Sequence, residues 1–153
     1  MEATNQHVRL GLALGSGAAR GWAHIGVLRA LEEMDLRPDV IVGASVGSLV
    51  AAAFAVNKLD QRETWARGLD RMDVLKLLDT SFSGGGVMQG NRLMGAIGEQ
   101  IGDVDIDTLE TDYAAVAADL VTGQEVWLTR GSLLQAVRAS SGLPGLFAPV
   151  WHD

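Results

Sequence analysis

Residues 40–56 have the sequence VIVGASVGSLVAAAFAV, which is the most informative segment for the fold. Its first three residues form a short apolar run that predicts a buried strand. Residues 46–56 are alanine-rich with almost no polar face, which predicts a helix buried on most sides. Between them lies a G-x-S-x-G motif with Ser45 at its centre. A serine on a sharp strand-to-helix turn stands clear of the sheet beside the helix N-terminus, where a nucleophile is placed. The motif therefore predicts a serine nucleophile, with a purely structural tight turn as the alternative.

A second unit lies directly upstream of this stretch. Residues 8–14 (VRLGLAL) predict a strand, residues 15–21 (GSGAARG) a loop, and residues 23–34 an amphipathic helix. A helix between two short apolar strands is a βαβ unit, which implies a parallel sheet. Because parallel strands end at the same edge of a sheet, we expect the glycine-rich loop to lie beside Ser45. Its backbone amides are placed to form an oxyanion hole there.

The rest of the chain predicts further helices and a hairpin. Thr122-Gly123 joins two strand-like runs, and Ser132 is the expected N-cap of a following helix. The predicted helices cover residues 59–69, 72–78, 91–101 and 132–139, the strands cover 113–120 and 125–129, and residues 140–149 are turn-rich.

Composition excludes several classes of protein. The 153 residues are 48% hydrophobic and 20% charged, which suits one globular domain over residues 1–153 and excludes a disordered or fibrous chain. The absence of cysteine excludes a disulfide framework and a thiolate metal site. Three histidines argue against a histidine-built metal cage, so neither metal nor cofactor is expected. The net charge of −7 argues against nucleic acid as a partner.

The location of the protein is predicted from two segments. Residues 1–7 are polar and lack the apolar core of a signal peptide, so a cytoplasmic protein is expected. Residues 40–57 are 18 uncharged residues, the lower limit for a membrane span. Glycines and serines near the start of that stretch favour a buried strand, turn and helix instead.

Two alternative functions are compatible with parts of these motifs. A dinucleotide-binding loop needs G-x-G-x-x-G and an acid at the end of the second strand. Here Arg20 takes the sixth position and Asp39 precedes that strand. A triad Ser45…Asp119…His152 has the chain order of an α/β-hydrolase, but that fold places its nucleophile after several strands, and Ser45 follows only the second. His24, in the first helix, is expected to pack or to cap.

Four ordered blocks resemble the bacterial patatin-like phospholipases, most closely their RssA-type branch. They read LALGSGAARGWAHIGVLRALEE, IVGASVGSLVAAAFA, AVAADLVTGQEVW and AVRASSGLPGLFAPV. The resemblance implies a three-layer α/β fold with a mostly parallel central sheet and a Ser–Asp dyad without histidine. Ser45 corresponds to the family nucleophile. The oxyanion loop then contains Ser16, Gly17, Ala18 and Arg20, and the elbow around the nucleophile contains Gly43, Ala44, Val46 and Gly47.

The sequence departs from the family pattern at two places. Ser16 and Ala18 stand where glycines are usual, and a positive φ at Ala18 would be strained. The family's catalytic aspartate lies in an Asp-Gly motif, and no Asp-Gly occurs in this sequence. We therefore expect the chain to be the N-terminal part of a patatin-like domain, truncated at its C-terminus. It carries the nucleophile and the oxyanion loop, and the dyad aspartate lies beyond Asp153.

These features together predict a serine acyl-ester hydrolase that works through an acyl-enzyme, with lipid or another acyl ester as substrate. The alternative is a catalytically silent binding or regulatory module with the same fold. The 153-residue chain itself is expected to be inactive or weakly active. We also expect transient membrane contact, and self-association or pairing with the missing C-terminal half. An acyl-chain pocket or lid, with ordinary core as the alternative, is predicted from Trp65, Leu75, Phe82, Val87 and Met88.

Overall fold

The computed structural model describes residues 8–60, 64, 68, 91–143 and 147–151. Strands and helices alternate along the first half of the chain, as the sequence predicts. In chain order the elements are β1 (Gly11–Leu14), a 3-10 helix (Ala18–Trp22), α1 (Ala23–Glu33), β2 (Val40–Ala44), α2 (Val46–Ala55), α3 (Asn91–Ile101), a 3-10 helix (Ile106–Thr108), β3 (Asp112–Ala118), β4 (Glu125–Leu128) and α4 (Leu133–Ser140).

Some predictions fall outside these residues. The predicted helix over residues 59–69 is described at 59, 60, 64 and 68 only, where the chain is helical. The predicted helix over residues 72–78 and all five candidate acyl-chain residues lie outside the described residues.

The described strands form one four-stranded sheet in the order β1-β2-β3-β4. The first three strands are parallel, and β4 pairs antiparallel with β3. Helix α1 connects β1 to β2, so the predicted βαβ unit is confirmed, as is the predicted hairpin. Gly123 has a φ of 71° in the hairpin turn, a conformation that glycine adopts without strain. The predicted α/β fold class with a mostly parallel sheet is confirmed.

One face of the sheet is covered by helices. Alternate residues along the strands point to this face, including Leu14, Ile41, Tyr113 and Leu128, and all four are buried. Every residue of α2 is buried, as its lack of a polar face predicts. Its many alanines let the helix lie close to the strands, which brings the backbone at the start of α2 against the end of β2.

The opposite face, which we call the outer sheet face, carries Val40, Val42, Ala114, Val116 and Trp127. These side chains are mostly apolar, and Trp127 is 52% exposed. A groove of about 400 Å³ runs over this face and is lined in part by them. Strands that are apolar on both faces are typical of a sheet that is covered on both sides.

Candidate active site

The turn between β2 and α2 places Ser45 in a strained conformation. Ser45 has a φ of 53° and a ψ of −121°, and α2 begins at the next residue. A residue with a side chain rarely adopts a positive φ, and such strain costs about 1–3 kcal/mol. The backbone at this sharp strand-to-helix turn is therefore strained. The Ser45 hydroxyl does not cap the helix and makes no hydrogen bond with the described residues.

The positions of Gly43 and Gly47, on either side of Ser45, leave no room for a side chain. A Cβ on Gly43 would lie 2.4 Å from the Gly47 carbonyl oxygen and from the backbone of Ser48. A Cβ on Gly47 would lie 2.2 Å from the Leu14 carbonyl oxygen and 2.6 Å from that of Gly15. The first turn of α2 therefore rests directly on β2, and the end of β1 passes directly over Gly47. This close approach brings the glycine-rich loop to the nucleophile turn.

The glycine-rich loop packs against the same turn. It was predicted as irregular, but its second half forms the 3-10 helix Ala18–Trp22, closed by a 3.0 Å hydrogen bond from the Arg20 amide to the Gly17 carbonyl. Gly21 is buried against Val46, and a Cβ at Gly21 would lie 2.0 Å from a Val46 methyl carbon. The loop and the turn thus lie side by side, as parallel strands predict.

Two backbone amides of this loop are unused within the described part of the chain. The amides of Gly17 and Ala18 make no hydrogen bond with any described residue. Ala18 has a φ of 46°, so the strain expected where alanine replaces the usual glycine is present. Unused amides in a loop that packs against the nucleophile turn can bind the negative oxygen of a tetrahedral intermediate.

His24 holds the start of this loop in place. Its Nε2 lies 2.8 Å from the Gly15 carbonyl oxygen, and since a carbonyl only accepts, Nε2 carries the proton. The expectation that His24 packs or caps is corrected, because the N-cap of α1 is Trp22 and the His24 ring binds the loop instead. Its role is to fix the loop.

The backbone of Ser45 is fixed on both sides by hydroxyl groups. Its N–H donates to Ser140 Oγ at 2.9 Å, and Ser140 Oγ donates in turn to the Val116 carbonyl at 2.6 Å. Its carbonyl accepts from Ser48 Oγ at 2.6 Å. The sequence patterns assign no site role to Ser48, and they place Ser140 in a turn-rich segment without a role. The only available signal was that both serines lie within the blocks that carry the family resemblance.

A buried tyrosine on β3 hydrogen-bonds to the first turn of α2, next to the contacts that hold Ser45. Tyr113 on β3 donates its hydroxyl to the Ser48 carbonyl at 3.1 Å, and only 4% of Tyr113 is exposed. Burial raises the pKa of Tyr113 well above its usual value. The tyrosine thus stays neutral and keeps its donor. It joins β3 to the first turn of α2, and sequence analysis did not identify it.

Asp119 and Asp39, which the two alternative functions involve, have local structural roles. The Asp119 carboxylate accepts from the amides of Val121 and Thr122, each at 2.8 Å, and these hydrogen bonds lower its pKa. Asp119 therefore stabilises the hairpin turn. The Asp39 carboxylate accepts from the Leu10 amide at 2.7 Å, ahead of β2. His152, the third member of the triad alternative, lies outside the described residues.

The described residues contain neither a candidate metal site nor a candidate membrane span. In the described ranges, no group of three or more His, Cys, Asp or Glu side chains could hold a metal ion. Within them, too, no helix has the length and hydropathy that a bilayer crossing requires.

Comparison with known proteins extends this picture. Residues 12–153 match the profile of the patatin-like phospholipase family. Uncharacterized NTE family proteins of Mycobacterium tuberculosis and Mycobacterium bovis are 43% identical over 141 residues, which cover 92% of this chain and 39% of each relative. The neuropathy target esterase of Drosophila melanogaster is 31% identical over 146 residues, which cover 92% of this chain and 10% of the relative. The chain thus spans less than half the length of these relatives. Because the family profile matches nearly the whole chain, the chain belongs to the patatin-like phospholipase family of lipid hydrolases.

Proposed function

We propose that the protein carrying this chain is a serine acyl-ester hydrolase of lipids, with Ser45 as its nucleophile. One observation carries the proposal. Both backbone polar groups of Ser45 are held by neighbouring hydroxyls, whereas its side-chain hydroxyl makes no hydrogen bond with the described residues. A hydroxyl that the fold does not use, on a backbone held by neighbouring groups, is available for reaction.

The proposed reaction has two steps. Ser45 Oγ attacks the carbonyl carbon of the ester while its proton passes to a base, and the carbonyl electrons move onto the oxygen. The amides of Gly17 and Ala18 and the N-terminus of α2 stabilise that oxyanion. The C–O bond to the alcohol then breaks, the alcohol takes the proton, and an acyl-enzyme remains. Water hydrolyses the acyl-enzyme and restores Ser45.

The base in this proposal is the aspartate of a Ser–Asp dyad. None of the described carboxylates or imidazoles hydrogen-bonds to the Ser45 hydroxyl. This agrees with a dyad aspartate that lies beyond Asp153. Assignment to the RssA-type branch and a cytoplasmic location stay predictions from the sequence.

The same observation supports the second candidate, a catalytically silent module. A serine without a base is a weak nucleophile, so a protein that keeps the fold but not the base would bind lipid or a partner without turnover. The two candidates differ in the reactivity of Ser45.

A fluorophosphonate probe separates the two candidates. We expect the full-length protein to be labelled on Ser45, and Ser45→Ala to abolish labelling. Ser141→Ala is the matched control, since Ser141 is half-buried near the same turn and its side chain makes no hydrogen bond with the described residues. A folded full-length protein that is not labelled on Ser45 would be a silent module. With labelling established, a panel of phospholipids and lysophospholipids would define head group and acyl-chain preference.

A further inference from the structure

We propose that Ser140 is a positioning residue for the nucleophile: its hydroxyl bridges the Ser45 amide to the end of β3 and so holds the strained turn in its reactive geometry. This inference rests on the proposed function, and it names a residue of the same site that acts through Ser45. Ser140 contacts the Ser45 backbone and is therefore not itself a catalytic residue.

The bridge lies where β2 leaves the sheet. The parallel pairing of β2 with β3 ends at Ala44 opposite Val116. At Ser45 the chain turns away, which frees one backbone donor on the turn and one acceptor on β3. The Ser140 hydroxyl fills that position, since it accepts from the Ser45 N–H at 2.9 Å and donates to the Val116 carbonyl at 2.6 Å. One side chain thus replaces the hydrogen bond that a continuing strand would have made.

Only a hydroxyl can make both bonds at this distance. A serine or threonine hydroxyl donates one proton and accepts with its lone pairs, whereas alanine does neither. The bridging oxygen is also carried by a rigid element. Ser140 is the last residue of α4, whose first turn is capped by Ser132 and whose Leu133 and Val137 are fully buried. The oxygen is therefore held by packed structure and not by a loop.

The bridge matters because Ser45 has a φ of 53°. A strained conformation persists only where surrounding contacts hold it. Without the bridge, the Ser45 amide and the Val116 carbonyl lose their shared partner, and the turn can relax toward an ordinary conformation. Relaxation moves Oγ relative to the amides of Gly17 and Ala18. We therefore expect a loss in the chemical step, with substrate binding preserved.

The first test uses steady-state hydrolysis of a nitrophenyl ester by the full-length protein. We expect Ser140→Ala to lower kcat by about 10–100-fold, as misplacement of reacting groups does, with KM within about threefold of wild type. Ser140→Thr keeps the hydroxyl and should restore kcat to within about threefold. Ser141→Ala, the neighbouring control, should match wild type. A folded Ser140→Ala protein with wild-type kcat would overturn the proposal.

A second substitution covers the case in which Ser140→Ala does not fold. Ser140→Cys fills the same space with a weaker donor and acceptor. If the bridge positions the nucleophile, Ser140→Cys loses kcat while Ser140→Thr keeps it. Equal kcat in both variants would overturn the proposal.

A second measurement is independent of the proposed function. Amide hydrogen exchange at Ser45 reports the bridge directly, whether or not the protein turns over ester. We expect Ser140→Ala to speed exchange at Ser45 by about tenfold or more, with Ile41 in β2 unchanged, and Ser141→Ala to have no effect. If the wild-type protein does not hydrolyse esters but shows this exchange pattern, the proposed hydrolase function is refuted and the Ser140 bridge is supported. Unchanged exchange at Ser45 in Ser140→Ala would refute the bridge.

Discussion

Replacing Gly47 by alanine tests the packing of the nucleophile turn, because two effects on stability have opposite signs. Gly47 is the second residue of α2. Helix propensity alone favours alanine over glycine by up to about 1 kcal/mol. Steric overlap opposes the substitution, since the new Cβ would lie 2.2 Å from the Leu14 carbonyl oxygen and 2.6 Å from that of Gly15. The sign of the change in unfolding free energy therefore shows which effect dominates.

The geometry gives the expected magnitude. Real Cβ contacts essentially never fall below 3.0 Å, so the contact with the Leu14 oxygen is short by about 0.8 Å. The obstacle is backbone at the end of a paired strand, which cannot move away as a flexible side chain can. Overpacking of this kind costs about 1–3 kcal/mol. We expect Gly47→Ala to lose stability within that range and Gly47→Val to lose about 2 kcal/mol or more, because further methyl groups meet the same backbone.

Urea unfolding followed by circular dichroism measures the change, with Gly26→Ala as the matched control. Gly26 is an exposed position of α1 with nothing within 4 Å of its Cβ position. The Gly26→Ala variant should gain up to about 1 kcal/mol in unfolding free energy from helix propensity. A Gly47→Ala protein as stable as wild type, or more stable, would refute the argument that β1 passes directly over the turn.

Three further predictions concern the buried tyrosine, the outer sheet face and the base. Burial raises the pKa of Tyr113 above 10.0 in the folded protein. As pH rises, Tyr113 therefore ionises in the unfolded chain before it ionises in the folded protein. The free energy of unfolding should consequently fall above about pH 10. Tyr113→Phe should remove this fall and cost about 1 kcal/mol at neutral pH; a wild-type curve that stays flat above pH 10 would contradict it. We expect the 153-residue chain to self-associate through the outer sheet face. Trp127→Lys should therefore lower the apparent mass in sedimentation, whereas Val121→Lys in the hairpin turn should not. Equal apparent masses in the two variants would contradict self-association through this face. A chain extended to the length of its relatives should exceed the 153-residue chain in kcat on a nitrophenyl ester by about 10²–10⁴-fold. Equal values would place the base within these residues, with Asp119 or Asp153 as the next positions to substitute.

The strand and helix order could be predicted from the sequence because it depends on local patterns. The apolar run before Gly43 and the alanine-rich segment after Ser45 predict a strand, a turn and a helix, and the structure contains all three. Boundaries were less well predicted. The second strand was expected to end at residue 42, yet Gly43 and Ala44 continue the pairing with β3. Small residues give no periodic signal, and a partner strand whose paired residues lie 72 positions along the chain decides whether they extend the ladder.

The contacts around the nucleophile could be predicted only in part. The proximity of the glycine-rich loop to Ser45 follows from parallel strands ending at one edge. The bridge from Ser45 to Ser140 joins residues 95 positions apart, and the hydrogen bond from Tyr113 to Ser48 joins residues 65 apart. Nothing in the local sequence of Ser140 distinguishes it from Ser141. Only the docking of α4 against β3 selects which of the two hydroxyls reaches the turn.

In the proposed reaction, Ser45 forms a covalent acyl-enzyme with a lipid ester. Rapid quenching of the full-length protein during hydrolysis of a nitrophenyl ester, followed by peptide mass spectrometry, tests it most directly. We expect a burst of about one nitrophenol per active site and an acyl group on the peptide that contains Ser45, with both absent in Ser45→Ala. Hydrolysis that survives in Ser45→Ala, or an acyl group found on another residue, would contradict it.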